Sequence, residues 1–237
     1  MTNANTDALD TPVKGTGRRR RGPFAEVIFR LSRSPLAMFG LAVILLLIFC
    51  AIFADVLAPY DFAKQDLMHM FETPSAEHWL GTDEFGRDIL SRLIFGARVS
   101  LQVGFIAVGI ALVIGGMLGA TAGYYGGWVD NGIMRVMDVL LSVPQTLLAI
   151  AIVAALGPSL MNLMIAVGVS EVPTYARIVR GSVLSIRGME FVEAARSVGS
   201  SDLRIILKHI LPNSMAPIIV QSTLGVASAI QIGRAHV

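Results

Sequence analysis

Long runs without a charged residue, separated by short polar segments, organise this chain. No Asp, Glu, Lys or Arg occurs between Arg33 and Asp55, between Arg98 and Asp130, between Asp138 and Glu171, or between Lys208 and Arg234. Each run is long enough to cross a bilayer whose hydrocarbon core is roughly 30 Å thick. The first predicts a transmembrane helix over 34–58, the span itself running about Leu36 to Leu57. It follows about 33 residues and exceeds the roughly 7–15 residues of a secretory h-region, so it reads as an uncleaved helix. The second predicts a span over Val99 to Tyr124, with Gly104, Gly109, Gly115, Gly116, Gly119 and Gly123 letting helices approach closely in lipid. Gly157-Pro158 cuts the third run into Val139 to Leu156 and Ser159 to Ala176, a tight hairpin. A fifth span follows Pro212-Asn213 and continues through Ile230.

Composition agrees: 54% of residues are hydrophobic, 15% are charged and the mean hydropathy is +0.67, which excludes an ordinary soluble domain. The net charge of +2 matters less than its placement. Lys14, Arg18 to Arg21, Arg30 and Arg33 precede the first span, and Arg177, Arg180, Arg187, Arg196, Arg204 and Lys208 lie between the fourth and fifth. By the positive-inside rule both segments are cytoplasmic. The 1–33 segment then reads as a cytoplasmic basic tail near anionic membrane lipid rather than a nucleic-acid site. The 59–98 segment, carrying Asp61, Asp66, Glu72, Glu77, Asp83, Glu84 and Asp88, reads as an extracytoplasmic loop. Residues 99–230 form the core, with a cytoplasmic loop at 177–212. Cys50 is alone, so no disulfide framework or cysteine metal site is expected.

That cytoplasmic loop is the most informative segment. Glu190 to Val198 predicts a short helix, Gly199-Ser200-Ser201 a turn with Ser201 as N-cap, and Asp202 the start of a second helix ending at Pro212. Leu203, Ile206, Leu207 and Ile210 would share one apolar face. Such an element is either an interfacial connector or a docking site for a partner. The run EAARSVGSSDLRIILKHILPN resembles the EAA loop of ABC importer permeases, with His209 where the general pattern has Ile. GTDEFGRDILSRLIFGARVSL (Gly81 to Leu101) and GYYGGWVDNGIMRVMDVLLSVPQ (Gly123 to Gln145) resemble the peptide/nickel branch of that family, as does the extra N-terminal helix before an acidic loop.

The resemblance implies an all-α, type I ABC importer permease, the second permease subunit of a dipeptide, oligopeptide or nickel importer in the bacterial inner membrane. It implies two ATPase subunits, a second homologous permease and an extracytoplasmic substrate-binding protein as partners. Glu193, Ala194, Ala195, Gly199, Leu211 and Pro212 are then the expected ATPase-docking residues. No cofactor, resident metal or catalytic residue is implied; ATP hydrolysis belongs to the partners, and this chain has no G-x-x-x-x-G-K-[ST]. The family pattern also implies a sixth span. The expectation is therefore a chain truncated to five, with 231–237 a non-native tail: one reverse translation of Gln231 to Val237 looks like a sequencing-library adapter read in frame.

Glu171 and Pro173 are candidates for the translocation path, against an interfacial pairing of Glu171 with Arg177. Arg135 and Asp138 are expected to pair locally. Met68-His69-Met70 and His78 have soft-metal chemistry but a loose ligand set, so ordinary loop packing is preferred. Gly81-Thr82-Asp83 and Gly86-Arg87-Asp88 are either a folded cap or a contact for the binding protein. The rivals from other classes are a membrane enzyme, for which H-E-x-x-H and G-x-S-x-G are missing, a channel without a pore-lining ring, and an ion-coupled secondary transporter, for which only Glu171 qualifies.

Overall fold

A computed structural model describes residues 29 and 32–234, with side chains as far as 231. Most of the basic tail and the end of the chain, including the side chains from 232 onward, lie outside the described residues. Two units divide the chain, Met1–Leu46 and Leu47–Val237. In the first, the helix α1 (Pro35–Ile52) begins; it buries none of its residues. Its last turns belong to the second unit. There the backbone leaves helical geometry at Phe53 and resumes for one turn as α2 (Ala54–Leu57). The single span expected over 34–58 is therefore interrupted. Arg98 occupies the interruption, donating to the Ala51 carbonyl (2.8 Å) and the Ile52 carbonyl (3.3 Å) while pairing with Asp55 (2.9 Å). Ala58 is extended, as the residue before Pro59 must be, and ends the helix.

The second unit is built on two long helices, α3 (Ile89–Tyr125) and α6 (Leu160–Ile186). Both outrun the expected spans. α3 begins ten residues before Val99 because Asp88 N-caps it, accepting from the Ser91 amide at 2.7 Å. Residues 89–98, expected in the loop, are thus its first turns. At 37 residues it is roughly 55 Å long, more than a bilayer core requires. α6 starts at the Ser159 N-cap and continues ten residues past Ala176, taking Arg177 and Arg180 out of the expected loop. Pro173 lies inside it without breaking it.

The two helices pack along small residues. A Cβ on Gly115 would sit 2.6 Å from the Val172 carbonyl oxygen, one on Gly123 2.9 Å from the Arg180 oxygen, and one on Gly119 would overlap the Ala176 oxygen. The glycine stripe at i, i+4, i+8 is therefore the seam of the bundle. Gly109 and Gly116 face open space and serve no such contact.

Between these helices the chain makes α4 (Gly127–Leu141) and α5 (Gln145–Leu156), which meet at 88° across Ser142-Val143-Pro144. Val139 to Leu156 is therefore not one straight helix. Pro144 lacks an amide and fixes its own φ, and the turn forms there. Gly157-Pro158 makes the expected hairpin, with Gly157 at φ +93 and the Asn162 amide group donating to the Leu156 and Gly157 carbonyls. α10 (Met215–Arg234) closes the unit, crossing α3 where Gly104 meets Val226. Among the described residues there is no strand, only an isolated bridge between Thr82 and Asp88.

Candidate functional site

The segment after α6 carries the expected docking residues. α7 (Glu190–Ser197) forms almost where the sequence places it. Its i, i+3 pair Val192 and Ala195 turns inward, with Val192 fully buried, and joins Ala120, Tyr124, Val179, Val183 and Ile186 from α3 and α6. Glu193 and Ala194 face outward with Phe191 and Val198. The two alanines thus differ: Ala194 is exposed and Ala195 belongs to the core. Gly199 follows at φ +78, a left-handed conformation in which a side chain is strained even though an added Cβ would meet no atom within 4 Å. Its amide and that of Ser200 bond back to the Arg196 and Ala195 carbonyls, closing the helix.

Ser201 takes the N-cap position of α8 (Asp202–Ile205), but its side chain makes no capping bond. The helix then widens into a π turn over Ile206–Ile210 before α9 (Leu211–Asn213). Widening changes the register, so the expected apolar face divides. Ile205, Ile206 and Ile210 are buried in the same cluster as Val192, whereas Leu203 and Leu207 are exposed. Pro212 is exposed within α9, the chain bends by 69° near Ser214, and Leu211 packs half-buried against the cluster.

Polar contacts fasten this segment to the end of α3. The Tyr124 hydroxyl donates to Asp202 Oδ1 at 2.6 Å, and Arg196 stands over the Tyr124 ring at 5.7 Å. Arg187 donates to the Gly123 carbonyl (2.9 Å) and the Tyr124 carbonyl (3.4 Å), which have no partner in the next helical turn. Arg180 grips Asp130 of α4 with two bonds, Nε to Oδ1 at 2.5 Å and Nη2 to Oδ2 at 2.6 Å. None of these residues was expected from sequence to act together, because the partners lie 50 to 78 positions apart. The only prior signal was the surplus of arginine between the fourth and fifth spans.

Other expectations are corrected. Asp138 pairs with Arg177 at 2.8 Å, so neither the Arg135–Asp138 pair nor the Glu171–Arg177 pair forms. α4 and α6 are in contact, and the pair that forms runs across them. Both partners are more than half exposed, which makes this a weak contact. Glu171 is only 3% exposed and Pro173 is fully buried, within the α6 face that meets the rest of the bundle. The structure does not place Glu171 at an interface with water.

The 59–88 loop is folded around its two motif segments. Asp83 Oδ1 accepts from the Phe85 and Arg87 amides, both at 2.9 Å, and Oδ2 accepts from Arg87 Nε at 2.8 Å and from Arg92. Burial pushes the Asp83 carboxyl up, but the bonds from Arg87 and Phe85 outweigh it and hold the carboxyl down at about 2. Asp88 accepts from His78 Nδ1 at 3.0 Å as well as from Ser91. Gly81 and Gly86, both at positive φ, pass so close to the Glu72 and Asp66 carbonyls that no Cβ fits. These motif residues make a cap. Met68 and Met70 are exposed, and His69 bonds to Asp66 at 3.1 Å.

Comparison with known proteins places this arrangement. Residues 115–232 match the family described as "Binding-protein-dependent transport system inner membrane component", and residues 22–74 match the "N-terminal TM domain of oligopeptide transport permease C". A dipeptide transport system permease protein, DppC, from Alkalihalophilus pseudofirmus is 51% identical over 208 residues, which are 88% of this chain and 68% of that protein. The chain belongs to the binding-protein-dependent permease family. Other family members include the probable D,D-dipeptide permease DdpC of Escherichia coli, 43% identical over 87% of this chain and 69% of its own, and a glutathione permease, GsiD, also of Escherichia coli, 45% identical over 89% and 70%. The protein is therefore an all-α, multi-pass permease subunit of an ABC importer in the inner membrane. Permeases of this family work with an ATPase and a substrate-binding partner.

Proposed function

We propose that this permease moves dipeptides or oligopeptides into the cytoplasm and takes its driving force through α7. The observation that carries the reading is the division of that helix. Its inner face is locked into the cluster shared by α3, α6 and the π turn, while Glu193 and Ala194 stand uncovered on the outer face. A carboxylate beside a methyl group suits insertion into a groove, where Glu193 accepts a charge-assisted hydrogen bond and Ala194 admits close approach. Motion of a docked ATPase then reaches α3 through Tyr124–Asp202 and Arg187, without a slack segment between. Two ATPase subunits and a second homologous permease complete the machine, and an extracytoplasmic binding protein delivers substrate. ATP-driven closure rocks the bundles as rigid bodies between inward- and outward-facing states.

Peptide substrates are supported by the names of the relatives, which transport dipeptides, D,D-dipeptides or glutathione. The arginine surplus supports a cytoplasmic N-terminus and a cytoplasmic 187–213 segment, leaving the folded 59–88 cap outside. Glu171, an acid at membrane depth, and Pro173 are the residues we assign to the translocation path. The test uses the whole importer with Glu193→Gln and Gly199→Ala in this subunit. Both are expected to weaken ATPase co-purification and uptake of a labelled dipeptide in proteoliposomes. Full association and uptake in both variants would overturn the docking assignment. Uptake sustained by an ion gradient after ATP depletion would overturn the ATP-driven reading itself.

A further inference from the structure

At the end of the bundle that carries the 59–88 cap, a cleft of about 920 Å³ opens beside the first turns of α3. Its walls are apolar: Leu93, Phe95, Leu101 and Val103 of α3, Leu163 of α6 and Ile230 of α10. Its rim holds Arg87 and Arg92. Both guanidinium groups share one carboxylate, Asp83, whose other bonds come from backbone amides. Arg87 and Arg92 are the charged residues that line the cleft, and with the carboxylate they share they sum to +1. Each guanidinium gives one N–H to Asp83 and has further N–H groups to offer. From Arg92 to Val103 is three turns of α3, roughly 16 Å, about half of a hydrocarbon core of roughly 30 Å. Cationic rim and apolar floor are thus separated by the depth of one leaflet.

We propose that this cleft binds an anionic phospholipid, its phosphate on Arg92 and Arg87 and an acyl chain along α3. Charge complementarity selects the occupant. A phosphodiester accepts the forked donors of the rim, and an acyl chain needs no hydrogen bonds from walls that offer few. A peptide in the same cleft would bury amide groups against Phe95, Leu101 and Val103 without partners. The inference rests on the membrane location of the family and not on α7 docking, so each can fail while the other stands.

The experiment is native mass spectrometry of the assembled importer from nanodiscs containing equal phosphatidylglycerol and phosphatidylcholine, counting retained lipids. The wild type is expected to keep phosphatidylglycerol about fivefold over phosphatidylcholine. Arg92→Gln leaves Arg87 balanced by Asp83, removing the net charge of the rim, and is expected to bring the ratio close to one while a lipid is still retained. Gly96→Leu fills the cleft, since a Cβ at Gly96 meets nothing within 4 Å, and is expected to lose both lipids. Gly109→Leu, equally open but outside the cleft, controls for folding and is expected to behave as wild type. Equal retention of the two lipids by wild type, or an unchanged ratio in Arg92→Gln, would overturn the proposal. So would a photo-crosslinker at Leu93 that captures polypeptide instead of lipid.

Discussion

Replacing Gly119 by Ala adds one methyl group at the tightest point of the α3–α6 seam. The new Cβ would overlap the Ala176 carbonyl oxygen and lie 3.0 Å from the Ala176 Cα and carbonyl carbon. Carbon atoms prefer about 3.5–4.0 Å, so the helices must part by roughly 0.5–1 Å at this crossing. The obstacle is backbone, which cannot swing aside as a side chain can. Parting also loosens the contacts of Gly115 with Val172 and of Gly123 with Val183 on either side. Overpacking of this kind costs about 1–3 kcal/mol. A cost of about 2 kcal/mol corresponds to a fall in Tm of roughly 4–8 °C for a chain of this size. The controls lie on the same helix: Gly116→Ala and Gly109→Ala meet no atom within 4 Å and gain helix propensity of up to about 1 kcal/mol. Thermal unfolding of the three variants in one detergent, followed by loss of monodisperse protein, is the assay. A Tm for Gly119→Ala equal to those of Gly116→Ala and Gly109→Ala would refute the seam.

Three further outcomes are expected. Asp83 is held at about 2, below the roughly 3.9 of an unfolded chain, so its contribution to the cap is complete above about pH 4 and is lost as pH falls toward 2. Hydrogen-exchange protection over Asp66 to Asp88, taken relative to the intrinsic rate at each pH, should therefore fall across that window in wild type, with Asp83→Asn already poorly protected at pH 5. Arg187→Gln removes the charge-assisted bonds to the last carbonyls of α3, worth about 1.5–3 kcal/mol. ATPase association should survive while uptake per ATP hydrolysed falls, measured in proteoliposomes. At Gly199, Ala should cost about 1–2 kcal/mol of local stability and Asn distinctly less, because Asn tolerates the left-handed conformation. Equal proteolytic protection of α7 in the two variants would contradict that cause.

The uncharged runs located the apolar segments roughly but not their number as spans: among the described residues two helices, Pro35–Ile52 and Ile89–Tyr125, are long and apolar enough to cross a bilayer, or four if each bent pair is one span, against the five expected. Their ends were less legible. Arg92, Arg98, Arg177 and Arg180 read as loop residues, yet α3 and α6 carry them onward as helix, Arg98 and Arg180 held by Asp55 and Asp130. Proline was ambiguous for a physical reason. Pro144 breaks its run, whereas Pro173 sits fully buried inside α6, packed in by neighbouring helices. The glycine stripe was visible as small residues, but only the packed bundle distinguishes Gly115, Gly119 and Gly123 from Gly109 and Gly116. The EAA segment was read with its helix and turn in place. Its π turn was not, since nothing in Ile206 to Ile210 announces one, and that turn decides which leucines stay outside. Tyr124 and Arg187 were invisible as contacts between the end of α3 and the 187–213 segment, because pairing across 60 or more residues leaves no local pattern.

The Arg98 contact bears on the order in which this protein is made. The carbonyls of Ala51 and Ile52 are complete as soon as α1 leaves the ribosome, but the guanidinium that binds them is encoded 46 residues after Ile52. At roughly 5–20 residues per second that gap lasts about 2–9 s. During it the end of α1 depends on interfacial water for those bonds, and α1 buries no residue of its own. The first helix therefore enters the bilayer as a provisional anchor. Synthesis of the first turns of α3, through Arg98, then ties its last turn, at Ala51 and Ile52, to the rest of the second unit.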